Sequence, residues 1–200
     1  MFFERDKRMF ILLVTTAISL AMDAFSVSVC KGLATKKLKL KHLIITGAWF
    51  GGFQALMPLI GYYVGALFRD YVEAFDHWII FALLALIGAN MIKESFEGDE
   101  CPANAGSFTF ATMLTMALAT SIDALAVGIS FSLMPEVNIF VAILLIGVIT
   151  FILSALGVKV GSHFGSKYKS TAELIGGIVL VLLGVKILVE HLFAIDIPLI

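Results

Sequence analysis

Charged side chains are scarce in this sequence, and their scarcity indicates the class of protein that it encodes. Asp, Glu, Lys and Arg make up 14% of the 200 residues, whereas hydrophobic residues make up 60%. In soluble domains about a quarter of the residues are charged, and a chain of this length has too small an interior to bury so much apolar side chain. The composition therefore excludes an ordinary soluble domain and indicates a protein embedded in a lipid bilayer.

The few charges lie in short stretches between apolar runs, as loops do between membrane spans. A basic stretch follows the first apolar run, and we interpret it as a cytoplasmic loop rather than as a contact with anionic lipid. It contains Lys36, Lys37, Lys39 and Lys41. The sequence has no extended basic patch of the kind that binds nucleic acid, so we expect no nucleic-acid partner.

Cysteine is also rare. Cys30 lies late in the first apolar run, and Cys101 lies in an acidic loop. Neither belongs to a Cys-x-x-Cys pair or to a spacing with histidine that is typical of zinc sites. We therefore expect two ordinary thiols without redox or zinc chemistry.

Six long apolar runs occupy most of the chain. A bilayer core about 30 Å thick is crossed by about 20 residues of helix, and a lone strand in lipid would leave its backbone groups unpaired. The sequence therefore predicts an all-α membrane protein with six transmembrane helices. They cover approximately Met9–Leu33, Leu43–Phe68, His77–Ile92, Phe108–Met134, Val137–Gly161 and Ala172–Phe193.

The two halves of the sequence are related by a repeat. A displacement of 100 positions aligns the first two runs with the fourth and fifth without a gap, and the only acids inside the first and fourth runs, Asp23 and Asp123, coincide. A displacement of 96 positions aligns the third run with the sixth. Further identical pairs are Phe10 with Phe110, Ala17 with Ala117, Gly47 with Gly147, Gly61 with Gly161, Gly65 with Gly165 and Gly88 with Gly184.

This repeat predicts the topology. Each unit contains three spans, an odd number, so the second unit enters the membrane from the opposite side, as in the inverted repeats of secondary transporters. We predict a first three-helix unit at residues 1–96, an acidic linker at 97–107 and a second three-helix unit at 108–200. The excess of Lys and Arg around the basic stretch places that side in the cytoplasm and both termini outside, although Arg5, Lys7 and Arg8 favour the opposite orientation.

Asp23 and Asp123 are the residues most indicative of function. An aspartate inside a membrane span costs about 2.5–3.5 kcal/mol on insertion, and neither span offers a Lys or Arg one helical turn away. A hydrogen-bonded structural acid is one explanation. The duplication favours another, in which a twofold axis brings two equivalent carboxylates together to share a proton or hold a divalent cation.

The neighbouring side chains supply oxygen ligands of the kind that hard divalent cations prefer. Ser19 and Ser26 share a helix face with Asp23, whereas Thr120 and Ser121 precede Asp123. Two further candidates are Gln54, four residues before Pro58, and Asn90 near the end of the third run. For Gln54 a bond to a neighbouring helix beside a proline kink is an equal alternative, and for Asn90 anchoring at the membrane interface is the alternative.

Glycines recur at four-residue spacing in the second and fifth runs, which predicts close helix packing. They are Gly47, Gly51, Gly61 and Gly65, and Gly157, Gly161 and Gly165.

Three segments resemble the manganese efflux pump family of the MntP type. They are Met-Asp-Ala-Phe at 22–25, Met-Pro-Leu-Ile-Gly at 57–61 and Thr-Ser-Ile-Asp-Ala at 120–124, and the likeness extends over nearly the whole chain. The resemblance implies export of Mn²⁺ from a bacterial cytoplasm across the inner membrane, with Asp23 and Asp123 central to transport. Some relatives carry an acid where this chain has Gln54, which leaves the charge of the site open.

The sequence thus predicts a secondary Mn²⁺ exporter, with the metal as substrate and no cofactor. No P-loop is present to use ATP. The predicted ligands of the metal are Asp23, Asp123, Ser19, Thr120, Ser121, Gln54 and Asn90. The alternatives are an intramembrane aspartyl protease, whose Tyr-Asp and Gly-x-Gly-Asp contexts are missing here, a transporter of another cation, and a passive channel. The sequence does not determine the oligomeric state.

Overall fold

The computed structural model describes residues 2–35, 37–72, 76–96, 101 and 104–164, together with 174, 178–179, 181–182, 184–186 and 188–189. The regular structure of these residues is entirely α-helical. The helices are α1 Phe2–Ala34, α2 Leu40–Val72, α3 Asp76–Phe96, α4 Phe110–Ala119, α5 Ile122–Ser132 and α6 Ile139–Phe164. Much of the predicted sixth span lies outside the described residues, and those of its residues that are described are helical.

Four stretches are apolar and long enough to cross a bilayer. Three are single helices, Met9–Ala34, Leu40–Leu67 and Ile139–His163, and the fourth is the pair α4 and α5, which bend by 44° at their junction. The described apolar part of α3, Trp78–Ile87, is shorter. The prediction of an all-helical, multi-pass membrane protein is therefore confirmed in these described spans.

Helices from the two halves of the chain pack against each other. Gly157 of α6 lies against the backbone of Phe25, and Gly161, four residues later, lies against Val29. The contacts advance together, so α1 and α6 run in the same direction. In the same way Gly61 of α2 lies against Leu125 and Gly65 against Ile129, so α2 runs parallel to α5.

The remaining main contact is an antiparallel crossing of α2 and α6. Gly47 lies against Phe151 while Gly51 lies against Gly147, and a methyl group added at Gly51 would come within 2.6 Å of the carbonyl oxygen of Gly147. Small residues let membrane helices approach until their backbones touch. The predicted packing role of the glycines is confirmed for those described, and Gly165 lies outside the described residues.

The two cysteines form a disulfide. Cys30, near the end of α1, is bonded to Cys101, and their Cα atoms are 5.4 Å apart. The expectation of two ordinary thiols is therefore wrong. The partners are separated by 71 positions, so the pairing arises from the fold and leaves no local spacing motif in the sequence.

Candidate cation site

Asp23 lies in the middle of the unbroken helix α1, where it is half-buried. Ser19, one turn before it, and Ser26, one turn after it, are buried. The Ser19 hydroxyl donates to the carbonyl of Thr15 at 3.0 Å, and the Ser26 hydroxyl donates to that of Met22 at 3.0 Å. Each hydroxyl uses its hydrogen on its own helix, so its oxygen lone pairs can act as acceptors for a cation.

Asp123 lies on a different kind of backbone. The predicted span Phe108–Met134 is interrupted at Thr120, which ends α4, and Ser121, which precedes α5. The Thr120 hydroxyl donates to the carbonyl of Met116 at 3.1 Å, and the Ser121 hydroxyl donates to that of Ala117. The Ser121 hydroxyl takes the Ala117 carbonyl that the Ser121 N–H would use in a continuous helix, and that N–H bonds to Leu118 instead. This local change in backbone bonding marks a break that the apolar pattern does not reveal.

This break places Asp123 in the first turn of α5. Its Oδ1 accepts a hydrogen bond from the backbone N–H of Ala124 at 2.8 Å. The first turn of a helix has free N–H groups and a partial positive charge, and both stabilise a carboxylate. The backbone of α5 therefore supports the negative charge of Asp123, whereas in α1 the N–H groups near Asp23 are used within the helix.

Chain neighbours of both aspartates belong to the same two apolar clusters. Leu20 belongs to one cluster together with Ala124, and Ala24 belongs to a second cluster together with Ala117. Asp23 lies between Leu20 and Ala24 along α1, and the segment from Thr120 to Asp123 lies between Ala117 and Ala124 in the sequence. The helices that carry the two aspartates therefore share both clusters.

Gln54 connects the second helix to this region. It is completely buried, and its Nε2 donates to the carbonyl of Leu20 at 3.1 Å. This bond to α1 is the helix contact that the sequence offered as an alternative to metal binding. The Oε1 atom is also buried and has no hydrogen-bond partner within the described part of the chain. Buried acceptors are rarely left unsatisfied, so this oxygen remains suited to a cation or a water molecule.

Further buried hydroxyls share this property. Ser154, the repeat equivalent of Gln54, is completely buried, and among the described residues its Oγ has no partner. The hydroxyls of Thr16, Thr46 and Thr150 are also buried, and none of the described residues forms a hydrogen bond with them. The sequence pattern did not single these residues out, although the four-residue spacing from Thr150 to Ser154 places two hydroxyls on one face of an apolar helix.

Asn90 differs from the other candidates because its side chain lies at an exposed position of α3. The buried candidates Ser19, Thr120, Ser121 and Gln54 and the half-buried aspartates all offer oxygen atoms. Carboxylate, hydroxyl and amide oxygens suit Mg²⁺, Ca²⁺ and Mn²⁺. Among the residues that the structure describes, no group of three or more His, Cys, Asp or Glu side chains is placed to hold a metal, so two carboxylates with neutral oxygens are the donors on offer.

Comparison with known proteins identifies the family of the chain. The family described as "Putative manganese efflux pump" matches residues 37–188. A protein named "Putative manganese efflux pump MntP" from Campylobacter jejuni subsp. jejuni serotype O:23/36 (strain 81-176) is 57% identical over 181 residues, which cover 90% of this chain and 96% of that protein.

Relatives from other organisms carry the same name. The protein from Acetivibrio thermocellus is 51% identical over 180 residues, covering 90% of each chain. The protein from Bifidobacterium adolescentis is 49% identical over 185 residues, covering 92% of this chain and 98% of that protein. No solved structure matches the chain. The resemblance seen in the sequence is confirmed: the chain belongs to the manganese efflux pump family, a family of transporters and not of enzymes.

Proposed function

We propose that this protein is a secondary transporter that exports Mn²⁺ from the cytoplasm across the bacterial inner membrane, through a site built around Asp23 and Asp123. The observation that carries the proposal is the pair of repeat-related aspartates inside apolar spans, on helices that share the same two apolar clusters. The relatives are named as manganese efflux pumps, which is the basis for choosing manganese among the hard cations.

The packing of the helices supports an inverted repeat. Under the displacement of 100 positions, the contact of Gly47 with Phe151 becomes the contact of Gly147 with Gly51, and both contacts are present. The contact of Val29 with Gly161 becomes that of Ile129 with Gly61, which is also present. In each case the contact between two residues recurs between their repeat equivalents. Such paired contacts, together with the antiparallel crossing of α2 and α6, are expected for two units related by a twofold axis in the membrane plane.

The ligand set follows from burial and chemistry. The two carboxylates would neutralise the divalent charge, and Ser19, Thr120, Ser121 and the Oε1 of Gln54 would supply neutral oxygens. Asn90 is left out because its side chain is exposed. Mn²⁺ is the cargo in this scheme and no resident cofactor is required. A gradient of ions or voltage would supply the energy, with the site opened alternately by movement of one unit against the other.

Transport by reconstituted protein tests this function. Purified protein in liposomes should move Mn²⁺ against a set gradient when a proton or voltage gradient is applied, and empty liposomes provide the control. Flux that follows the Mn²⁺ gradient alone would support a passive channel instead. Preference for another divalent ion in competition would contradict manganese as the substrate.

Orientation needs a separate measurement. We propose that the face carrying Lys37 is cytoplasmic and that both termini are outside, from the excess of Lys and Arg near that face. An impermeant reagent that labels a cysteine introduced at Lys37 only after the inner membrane is opened would support this orientation, and labelling of intact spheroplasts would reverse it.

A further inference from the structure

The Cys30–Cys101 disulfide joins the end of the first span to the predicted linker that precedes the second half. Cys30 is completely buried in the next-to-last turn of α1, whereas Cys101, ahead of α4, is partly exposed. The disulfide therefore joins a residue enclosed by protein to one that is partly open to solvent.

Non-covalent contacts hold the same two segments together. Lys31 is completely buried, and its Nζ donates to the carbonyl of Ala105 at 3.1 Å and to that of Ser107 at 2.6 Å. The same Nζ lies 4.4 Å from the centre of the Phe108 ring, a cation–π distance. Gly106 packs on Ala34, the last residue of α1: a methyl group added at Gly106 would lie 3.1 Å from its carbonyl oxygen.

These attachments connect the helices of the two aspartates. Asp23 lies seven residues before Cys30 in the same helix, a distance of about 10 Å along the axis. Phe108 is followed directly by Thr109, the N-cap of α4, and α4 leads to the break before Asp123. The disulfide and the Lys31 contacts, here called the linker clamp, therefore fasten α1 to the segment that begins the second half.

We propose that Cys30 and Cys101 form a thiol–disulfide switch that slows transport when it is oxidised. This inference rests on the proposed function, because alternating access requires one half to move against the other. Hydrogen bonds and ring contacts can break and re-form during each cycle. A disulfide holds its two Cα atoms within about 7 Å, so the oxidised clamp restrains α1 relative to α4.

Reversibility follows from location and access. The clamp lies at the end of α1 that leads into the basic loop, the face proposed to be cytoplasmic, and most disulfides in that compartment are transient. The oxidant we propose is a low-molecular-weight disulfide. The Cys101 thiolate attacks one of its sulfurs and releases one thiol, and the Cys30 thiolate then attacks the Cys101 sulfur and releases the second. Two protein thiols are oxidised to one disulfide, and the small disulfide is reduced to two thiols.

The test compares defined redox states of the whole protein. Wild-type protein is poised in buffers of reduced or oxidised glutathione, reconstituted in the same buffer and assayed for Mn²⁺ flux, while a maleimide-polymer gel shift reports the state of the cysteines. We expect oxidised wild type to transport about tenfold more slowly than reduced wild type. Cys30→Ser and Cys101→Ser should each transport at the reduced wild-type rate in both buffers.

Three outcomes would overturn the switch. One is equal flux by the two states when the gel shift proves that they differ. Another is a disulfide that glutathione does not reduce in the native protein, and a third is slow, redox-independent flux by both serine variants. Absence of Mn²⁺ flux from wild type in either state would instead contradict the proposed function, and the switch, which depends on it, would fall as well.

Discussion

The two aspartates occupy equivalent positions in the repeat, but the helices that carry them differ. Asp23 is in the interior of α1, a continuous helix of 33 residues. Asp123 is in the first turn of α5, just after a 44° bend. The oxygen-bearing neighbours differ as well, because the repeat equivalents of Thr120 and Ser121 are Leu20 and Ala21.

The two positions thus share a carboxylate but differ in the backbone that carries it. In α5 the N–H of Ala124 supports the carboxylate directly. In α1 the backbone N–H groups of the helix interior bond within the helix, and Ser19 and Ser26 lie one turn to either side of Asp23. One half therefore carries its aspartate at the start of a helix, and the other half carries its aspartate in a helix interior.

Neutralising either aspartate should have the largest effect and tests whether the two are functionally equivalent. Asp23→Asn and Asp123→Asn each keep a carbonyl oxygen. Each removes the carboxylate charge that, in the proposed site, offsets the charge of the dehydrated divalent ion. We expect each to lower Mn²⁺ flux by more than about 100-fold, since losing one partner of a buried charge pair costs about 2–5 kcal/mol. Flux in liposomes measures the effect, and the exposed Glu136→Gln between α5 and α6 is the control.

Stability should distinguish the same two variants. Loss of charge at the first turn of α5 should lower the free energy of unfolding of Asp123→Asn by about 0.3–1 kcal/mol, whereas Asp23→Asn should be no less stable than wild type.

Full flux by one aspartate variant and none by the other would show that a single acid binds the ion.

The glycine crossings should give the next largest effect. A methyl group at Gly61 would overlap the carbonyl oxygen of Leu125, and one at Gly161 would overlap that of Val29. We expect Gly61→Ala and Gly161→Ala each to lower the free energy of unfolding by about 1–3 kcal/mol through overpacking. Thermal unfolding in detergent measures this loss.

Gly52→Ala is the matched control, because nothing lies within 4 Å of an added methyl group there. It should leave the melting temperature unchanged or raise it, since alanine is the better helix former. Equal losses at Gly52, Gly61 and Gly161 would mean that the close crossings do not account for the effect.

Hydroxyl removal should have a moderate effect that is larger at the break. Thr120→Val keeps the shape of the side chain but removes a proposed ligand oxygen and the bond to Met116 at the break, so we expect about tenfold weaker Mn²⁺ binding. Ser19→Ala removes a proposed ligand oxygen and the bond to Thr15, but the helix around it is continuous, so we expect about fivefold weaker binding. The half-saturating Mn²⁺ concentration for flux measures both, and a larger effect of Ser19→Ala would reverse the comparison.

The smallest effects should come from the equivalent pair Gln54 and Ser154. Gln54→Met keeps the volume but loses the Oε1 acceptor and the bond to Leu20, and we expect flux to fall about threefold. Ser154→Ala removes a buried hydroxyl without a partner in the described structure, so flux should change by less than about twofold. A strong loss in Ser154→Ala would indicate that the second half contributes a ligand at the position equivalent to Gln54.

Periodicity and repetition made much of the helical architecture predictable. The apolar runs correspond to α1, α2, α6 and the α4–α5 pair because a membrane span must be a long helix of apolar residues. Asp23 and Asp123 could be selected because a charge in such a span is costly and both halves retain it. The four-residue spacing of the glycines was enough to indicate the close crossings, because it places small residues along one face of a helix.

The break, the disulfide and the buried hydroxyls could not be predicted in this way. Thr120 and Ser121 are compatible with an apolar helix, and only the backbone shows the interruption, where the Ser121 N–H bonds to Leu118 rather than to Ala117. Cys30 and Cys101 meet through the fold, since their positions in the chain are far apart. The hydroxyls of Thr46 and Thr150 gain significance only because neighbouring helices exclude solvent from them.

The crossing of α2 and α6 has a mechanical consequence. Interdigitated side chains resist the rotation of one helix against another, because each side chain must leave its preferred rotamer for the helices to turn. At Gly51 and Gly147 the two backbones are in close contact, and the nearest side chains are those of Phe151 and Ala55. In the proposed transport cycle, we expect this largely backbone-lined contact to allow rotation of α2 against α6 more easily than a contact packed with large side chains.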